Sequence, residues 1–324
     1  IAVAPFDGLT SEELVRNADL ALYDAKDGGR GQFRFFSDEL QKSADKRKVL
    51  EEDLRDALAN GQIRLAFQPM VTAANNTVTC LEALIRWKHP EFGELPPSLF
   101  IPIAEESNLI IPLGEWAIRE ACQTAMDWPE SVCVSVDVAP SQFSNDGFIT
   151  AVANALAQSG LQPERLELEF IEGIFAANED LALGIFADLR QLGVRLSLDN
   201  FGSGYSPLAY LRTAHFDKIK IDRSIIQELT LPGNRCAAIA ASITTLAHKL
   251  GMLTTAEGIE AGDELRVMQD LGVDQIQGAI YSPPISADEV IEALSSGQWI
   301  IQPDGPTRAR SERRSVYRRV GVIH

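Results

Sequence analysis

The chain has 324 residues, 45% of them hydrophobic, and carries 46 acidic against 29 basic side chains for a formal net charge of −17. That length accommodates one barrel-sized domain plus a smaller piece. The acidity argues against wrapping a nucleic-acid polymer but leaves room for a small phosphate ligand held by local arginines or bridged by metal.

No signal peptide and no membrane-length apolar run is visible, so the piece reads as cytoplasmic. It opens inside a strand-like run, Ile1 to Ala4, without a starting methionine. It therefore reads as part of a longer protein, with an upstream sensor or membrane attachment left open.

Residues 1–40 behave as a separate unit. A strand over Ile1–Ala4 precedes a helix over Ser11–Lys26, opened by the capping-box-like Thr10-Ser11-Glu12-Glu13 and stopped by Gly28-Gly29. Gln32–Phe36 read as a short closing strand. So few residues own no core, so this unit is the tail of a domain or an accessory to the larger domain on its C-terminal side. A charged linking helix over Ser43–Gly61 comes next, with Leu50, Leu54 and Leu58 on its dry stripe. These segments divide the chain into 1–40, a linker at 41–61, a main domain at 62–300 and a tail at 301–324.

From Ile63 the pattern changes to short β-rich runs: Arg64–Val71, Val78–Trp87, Val132–Val138, Leu166–Phe170, Val194–Leu198, Phe216–Ile221, Met252–Ala256 and Val273–Ile276. Helical periodicity fills Pro112–Trp128, Ser144–Gln158, Ala177–Gln191, Arg235–Lys249 and Ala261–Leu271, with shorter stretches at Ser98–Glu105, Ser206–Leu211 and Ala287–Ser295. Repeated strand-helix crossovers predict an α/β fold, a TIM-like (β/α)8 barrel, with a doubly wound open sheet as the alternative. Thr72–Thr77 is too short for a crossover helix, so the first strand is antiparallel to the second.

Polar residues stand at these strand ends. Glu82, Asp137, Glu169 and Asp199 interrupt or end the second to fifth runs. Lys220 and Asp222 end the sixth, Glu257 ends the seventh, and Gln277 follows the eighth. In a barrel such ends converge on one mouth. Facing carboxylates without partners are costly, so several together demand cations, and all-oxygen donors favour magnesium, manganese or calcium. The histidines, His89, His215, His248 and His324, lack metal-site spacing. The cysteines, Cys80, Cys122, Cys133 and Cys236, lack CxxC spacing and read as core thiols.

The motifs Phe67-Gln68-Pro69, Glu82-Ala83-Leu84-Ile85-Arg86-Trp87, Glu169-Phe170-Ile171-Glu172, Asp199-Asn200-Phe201-Gly202-Ser203-Gly204, Lys220-Ile221-Asp222-Arg223 and Glu257-Gly258-Ile259-Glu260 occur in order within residues 50–297. They resemble the EAL family of cyclic-di-GMP phosphodiesterases. Asn17 to Lys26, running on to Gly29-Arg30-Gly31, resembles the last helix and turn of a GGDEF domain, whose cyclase signature would lie upstream.

The resemblance implies two Mg²⁺ or Mn²⁺ ions held by Glu82, Asp137, Glu169, Asp199 and Asn200. It implies catalytic roles for Lys220, Glu257 and Gln277, and substrate contacts for Gln68, Arg86 and Glu260. Glu172, with Glu260, and Asp222 are implied to order the loop after Asp199. The implied reaction opens cyclic-di-GMP to linear pGpG.

Two positions depart from the family pattern: Asp137 stands for an asparagine, and Asn200 for the second member of an Asp-Asp pair. Asn200 leaves a catalytically silent cyclic-di-GMP receptor as the alternative. Implied partners are the nucleotide, a second copy joined through the barrel near Ser206–Leu211, and an upstream GGDEF or sensor region. The arginines at 308, 310, 313, 314, 318 and 319 read as a solubilising tail.

Overall fold

Side-chain alternation along the strands fixes which residues are packed and which face one another. The computed structural model describes residues 1–27, 31–176, 179–202, 210–231, 233, 235–295 and 300–307. Its strands are β1 (Ile63–Thr72), β2 (Val78–His89), β3 (Gly93–Leu95), β4 (Cys133–Val138), β5 (Leu166–Ile171), β6 (Arg195–Phe201), β7 (Lys218–Ile221), β8 (Leu253–Ala256) and β9 (Gln275–Gln277). They form one sheet in the order β1-β9-β8-β7-β6-β5-β4-β2-β3, and β1 also pairs with β2. That pairing closes a barrel and leaves β3 as an edge ribbon on β2.

β1 is antiparallel to β9 and returns into β2 through a tight turn, where Thr72 N donates to Thr77 O at 2.8 Å. The neighbours from β2 through β4 to β9 are parallel. The fold is thus the TIM-like barrel with an antiparallel first strand, and closure rules out the open doubly wound sheet.

The chain forms two compact units, Ile1–Gln62 with Trp87–Leu109, and Ile63–Arg86 with Ile110–His324. The first holds α1 (Ser11–Asp27), α2 (Asp38–Ala57) and α3 (Pro97–Glu106). Helix α2 begins earlier than the charge pattern implies, because Ser37 caps it by accepting from Leu40 N at 3.4 Å and Asp38 and Glu39 occupy its first turn. Neither Ile1–Ala4 nor Gln32–Phe36 is a strand. Phe36 N to Ile1 O at 2.8 Å and the Ile1 amine to Arg34 O at 2.7 Å join them, but these bonds make no ladder, and Pro5 offers no N–H to extend one. The Gly28-Gly29 stop lies outside the described residues.

The second unit wraps its strands with α4 (Ile110–Thr124), α5 (Pro140–Phe143), α6 (Phe148–Ser159), α7 (Glu179–Leu192), α8 (Arg223–Gln227), α9 (Cys236–Lys249), α10 (Gly262–Asp270) and α11 (Ala287–Ser295). The outward strand residues are aliphatic or aromatic and closely packed. Val134, Val136, Leu166, Leu168, Phe170, Leu196, Leu198 and Ile219 all lie in the main buried cluster. The intervening positions, such as Ser135, Glu167, Ser197 and Lys218, are also buried but polar. A common TIM barrel fills its lumen with branched apolar side chains; here the lumen is polar.

Phe143, Phe170, Phe186 and Phe216 pack with ring centroids 5.0 to 5.5 Å apart, and Phe175 stacks on Tyr210 at 4.2 Å. Each such pair adds about 0.5–1.5 kcal/mol beyond burial. Together they pin the segments that leave β5 and approach β7. Phe216 therefore serves the core while β7 itself starts at Lys218. The helix expected from Ser144 starts at Phe148, after the separate turn α5. Residues 206–209 of the expected Ser206–Leu211 helix, and the arginine-rich tail from 308, lie outside the described residues; Tyr210–Arg212 form a 3-10 turn.

Candidate active site at the barrel mouth

The site is assembled by period-two placement and one break in it. On β5, β6 and β7, positions 169, 199 and 220 share the lumen face. Between β6 and β7 the register slips, with Leu198 opposite Ile219 but Phe201 opposite Ile221. This bulge gives β6 an extra residue at the mouth, where bulges re-aim side chains. Asn200 takes the left-handed conformation, φ 55, which asparagine tolerates better than most residues. Strict alternation would put Asn200 behind Asp199. The bulge instead lets its amide Nδ2 donate to Asp199 Oδ2 at 2.8 Å.

Lys220 is the hub, with its side chain 1% exposed. Its Nζ donates to Glu169 Oε2, stands 2.5 Å from Glu257 Oε1, and lies 3.4 Å from Glu82 Oε2 and 3.6 Å from Asp199 Oδ1. Gln277 Nε2 donates to Glu82 Oε2 and reaches Gln68 Oε1 at 3.4 Å, while Gln68 Nε2 donates to Ser282 O at 3.1 Å.

Desolvation works against the Lys220 ammonium, but Glu169, Glu257, Glu82 and Asp199 outweigh it and hold its pKa well above the usual lysine value. Desolvation, only partly offset by Lys220, pushes Glu169 up to about 8. Glu257 is raised for the same reason. Asp137 keeps solvent contact, yet desolvation and then the charges of Glu82, Glu169 and Asp199 raise it as well.

Of the residues singled out from sequence, Glu82, Glu169, Asp199, Glu257 and Gln277 converge with Lys220, directly or through Glu82. Asp137 joins Glu169 and Asp199, and Gln68 joins through Gln277. Others are engaged differently. Asp222 caps α8, accepting from Ser224 N at 2.8 Å. Glu260 pairs with Arg223. Arg86 is half-buried and donates to Ile85 O at 3.0 Å. Glu172 opens a 3-10 turn after β5, and its Oε1 is buried without a hydrogen bond among the described residues.

Glu167 and Lys218, which do not stand at strand ends in the sequence, pair at 2.8 Å, both nearly fully buried. Their signal was available: each lies two residues before a singled-out position, hence on the same strand face.

The donor set suits hard cations. Two groups, Glu82-Glu169-Glu257 and Asp137-Glu169-Asp199, each bring three ligand atoms within 4.8 Å of one another, and Glu169 belongs to both. Glu169 Oε1 and Asp199 Oδ1 are buried without a hydrogen bond among the described residues. Oxygen-only ligands with orphaned acceptors fit magnesium, manganese or calcium.

A family model described as "EAL domain" matches residues 51–284. The chain belongs to the EAL domain family. It is 36% identical over 299 residues to the bifunctional diguanylate cyclase/cyclic di-GMP phosphodiesterase MucR of Pseudomonas aeruginosa, covering 91% of this chain and 44% of MucR. It is 34% identical over 291 residues to the cyclic di-GMP phosphodiesterase PdeR of Escherichia coli, covering 89% of this chain and 44% of PdeR. A solved structure described as the PaMucR phosphodiesterase in complex with c-di-GMP superposes with a TM-score of 0.72 at 36% identity, covering 75% of this EAL chain and 99% of that one. The chain thus spans less than half the length of these curated relatives. No helix among the described residues is long and apolar enough to cross a membrane.

Proposed function

We propose that this EAL domain hydrolyses cyclic-di-GMP to linear pGpG with two Mg²⁺ or Mn²⁺ ions. The observation that carries the reading is the Lys220 hub, ringed by Glu82, Glu169, Asp199 and Glu257 at one end of a polar lumen. Family membership and the nucleotide named for MucR and PdeR support it.

Glu82, Asp137, Glu169 and Asp199, with Asn200 beside them, would hold the ions. When bound, these supply Lewis-acid stabilisation of the phosphoryl oxygens and a more acidic water. Lys220, among the carboxylates, acts as a donor that orients the attacking water and offsets charge growing on the phosphoryl oxygens. Glu257 takes the proton from that water. Gln277 holds Glu82 in place, and Gln68 and Arg86 contact the nucleotide at the rim. Attack in line breaks the bond between phosphorus and the 3′ oxygen, which takes a proton from solvent and leaves as the 3′ hydroxyl of pGpG.

Asn200 favours a second reading, a cyclic-di-GMP receptor without turnover. An amide supplies a neutral oxygen where an acid would supply charge, and it already donates to Asp199. Chromatographic product analysis with excess Mg²⁺ or Mn²⁺ decides between them. pGpG supports hydrolysis; nucleotide binding by calorimetry without product supports the receptor.

In the same reading, residues 1–40 are the end of a GGDEF-like domain, 41–61 link it to the EAL barrel at 62–300, and 301–324 are a basic tail. The domain pairs with a second copy through the barrel.

A further inference from the structure

The barrel lumen carries a second cluster, one layer below Lys220 and of different chemistry. Cys80 on β2 and Cys133 on β4 are direct register partners on adjacent parallel strands. With Met70 of β1 they form a small sulfur cluster separate from the main core. Glu167 of β5 completes the group, with the two sulfurs and a carboxylate oxygen all within 4.8 Å of one another. Cys80 is 0%, Cys133 6% and Glu167 1% exposed, and both thiols are free.

The surroundings are not those of an ordinary core thiol. Cys133 Sγ donates to Thr79 O at 3.3 Å, Lys218 Nζ stands 2.8 Å from Glu167 Oε1 and 4.0 Å from Met70 Sδ, and Gln275 Nε2 donates to Thr79 Oγ1 at 3.0 Å. A cavity of about 750 Å³ at the end of the barrel opposite the mouth is lined by Cys133, Glu167, Lys218, Arg195, Asp217 and Gln275 among others, so it reaches two of the three candidate ligands, with Cys80 packed behind them.

We propose that Cys80, Cys133 and Glu167 form a binding site for a thiophilic divalent cation of the zinc class, distinct from the all-oxygen cluster at the mouth. Two thiolates and a carboxylate bring three negative charges, and the Lys218 ammonium offsets one. The remaining two match a dication, and buried charge is tolerated only when it is balanced in this way. Soft sulfur donors select zinc-class ions over magnesium or calcium. Two sulfurs and one oxygen leave a fourth tetrahedral position for the Met70 thioether or a water from the cavity.

The ion would tie β2, β4 and β5 together at their N-terminal ends. The same strands carry Glu82, Asp137 and Glu169 toward the mouth. The proposal stands independently of the proposed hydrolysis.

The test is cobalt(II) titration of the full chain, reduced and freed of metal, followed by absorption. Thiolate-to-cobalt charge transfer reports sulfur ligation and is blind to the oxygen cluster. One equivalent of Co²⁺ is expected to produce the band, excess Mg²⁺ to leave it, and Zn²⁺ to abolish it. Cys80→Ser and Cys133→Ser are expected to lose it, while Cys122→Ser and Cys236→Ser keep it. Should the serine variants fail to fold, alkylation of the parent serves instead, with Zn²⁺ protecting two thiols that chelation releases. Absence of the band in the parent, its persistence without Cys80 or Cys133, or no thiol protection by Zn²⁺ overturns the proposal.

Discussion

Lys220→Met keeps the aliphatic stem and removes the charge that the mouth is built around. Four carboxylates lie within 3.6 Å of Nζ. At this separation and an effective dielectric near 20, each attraction is worth about 4 kcal/mol before the cost of desolvating the charges. Desolvation consumes much of that, and removing one partner of a buried pair costs about 3–5 kcal/mol net. For a domain of this size that corresponds to a melting point lower by roughly 6–20 °C in chelator. The assay is thermal unfolding in EDTA and again in excess Mn²⁺. A divalent ion offsets the same oxygens, so Mn²⁺ should raise the melting point of Lys220→Met more than that of the parent. Hydrolysis should fall by about 100-fold or more, as when a charge-stabilising donor is removed. Equal melting points in EDTA, or an equal metal response in both proteins, would refute the assignment of Lys220 as the counter-charge of the cluster.

Three further outcomes are expected. Asn200→Asp should raise Mg²⁺-dependent hydrolysis about tenfold or more, since even an outer-shell partner of a metal ligand is worth roughly 10–100-fold; steady-state rates beside the parent check this. Burial opposes the Asp274 carboxylate, but hydrogen bonds from His248 Nε2 and from Thr254 N and Oγ1 hold its pKa below the usual value. A depressed carboxylate stabilises the fold above its unfolded pKa and loses that contribution as pH falls through the folded value. Asp274→Asn should therefore cost about 1 kcal/mol at neutral pH, discounted for its partial exposure, and nothing in strong acid, as read by urea unfolding across pH. A Cβ on Gly278 would lie 2.0 Å from Ile259 O and 2.5 Å from Ile259 N, both backbone atoms. Gly278→Ala should therefore destabilise by about 3 kcal/mol or more, seen as a lower denaturant midpoint.

Much of the barrel was legible because its strands obey period two and its crossovers are strongly periodic. The short Thr72–Thr77 connection alone foretold the antiparallel first strand. Strand-end acids marked the mouth, since carboxylates such as Glu169 in an apolar run need a reason to be there. The bulge at Asp199-Asn200 was not legible: a slipped register depends on what β7 offers as a partner, not on the β6 sequence. The Lys218–Glu167 pair lies on the right face, but neither residue ends its strand, so the strand-end pattern does not include them. Cys80 and Cys133 are 53 positions apart, and only the β2–β4 register makes them neighbours. The strand expected over Ile1–Ala4 failed because apolar, β-branched residues beside a proline do not by themselves supply a pairing partner.

Hydrolysis at the Lys220 cluster is tested most directly by product analysis after incubating the chain with cyclic-di-GMP and Mn²⁺, run beside Glu82→Gln. Linear pGpG is expected from the parent, with its loss in the variant. Bound but uncleaved nucleotide in the parent, or equal turnover in Glu82→Gln, would contradict that assignment.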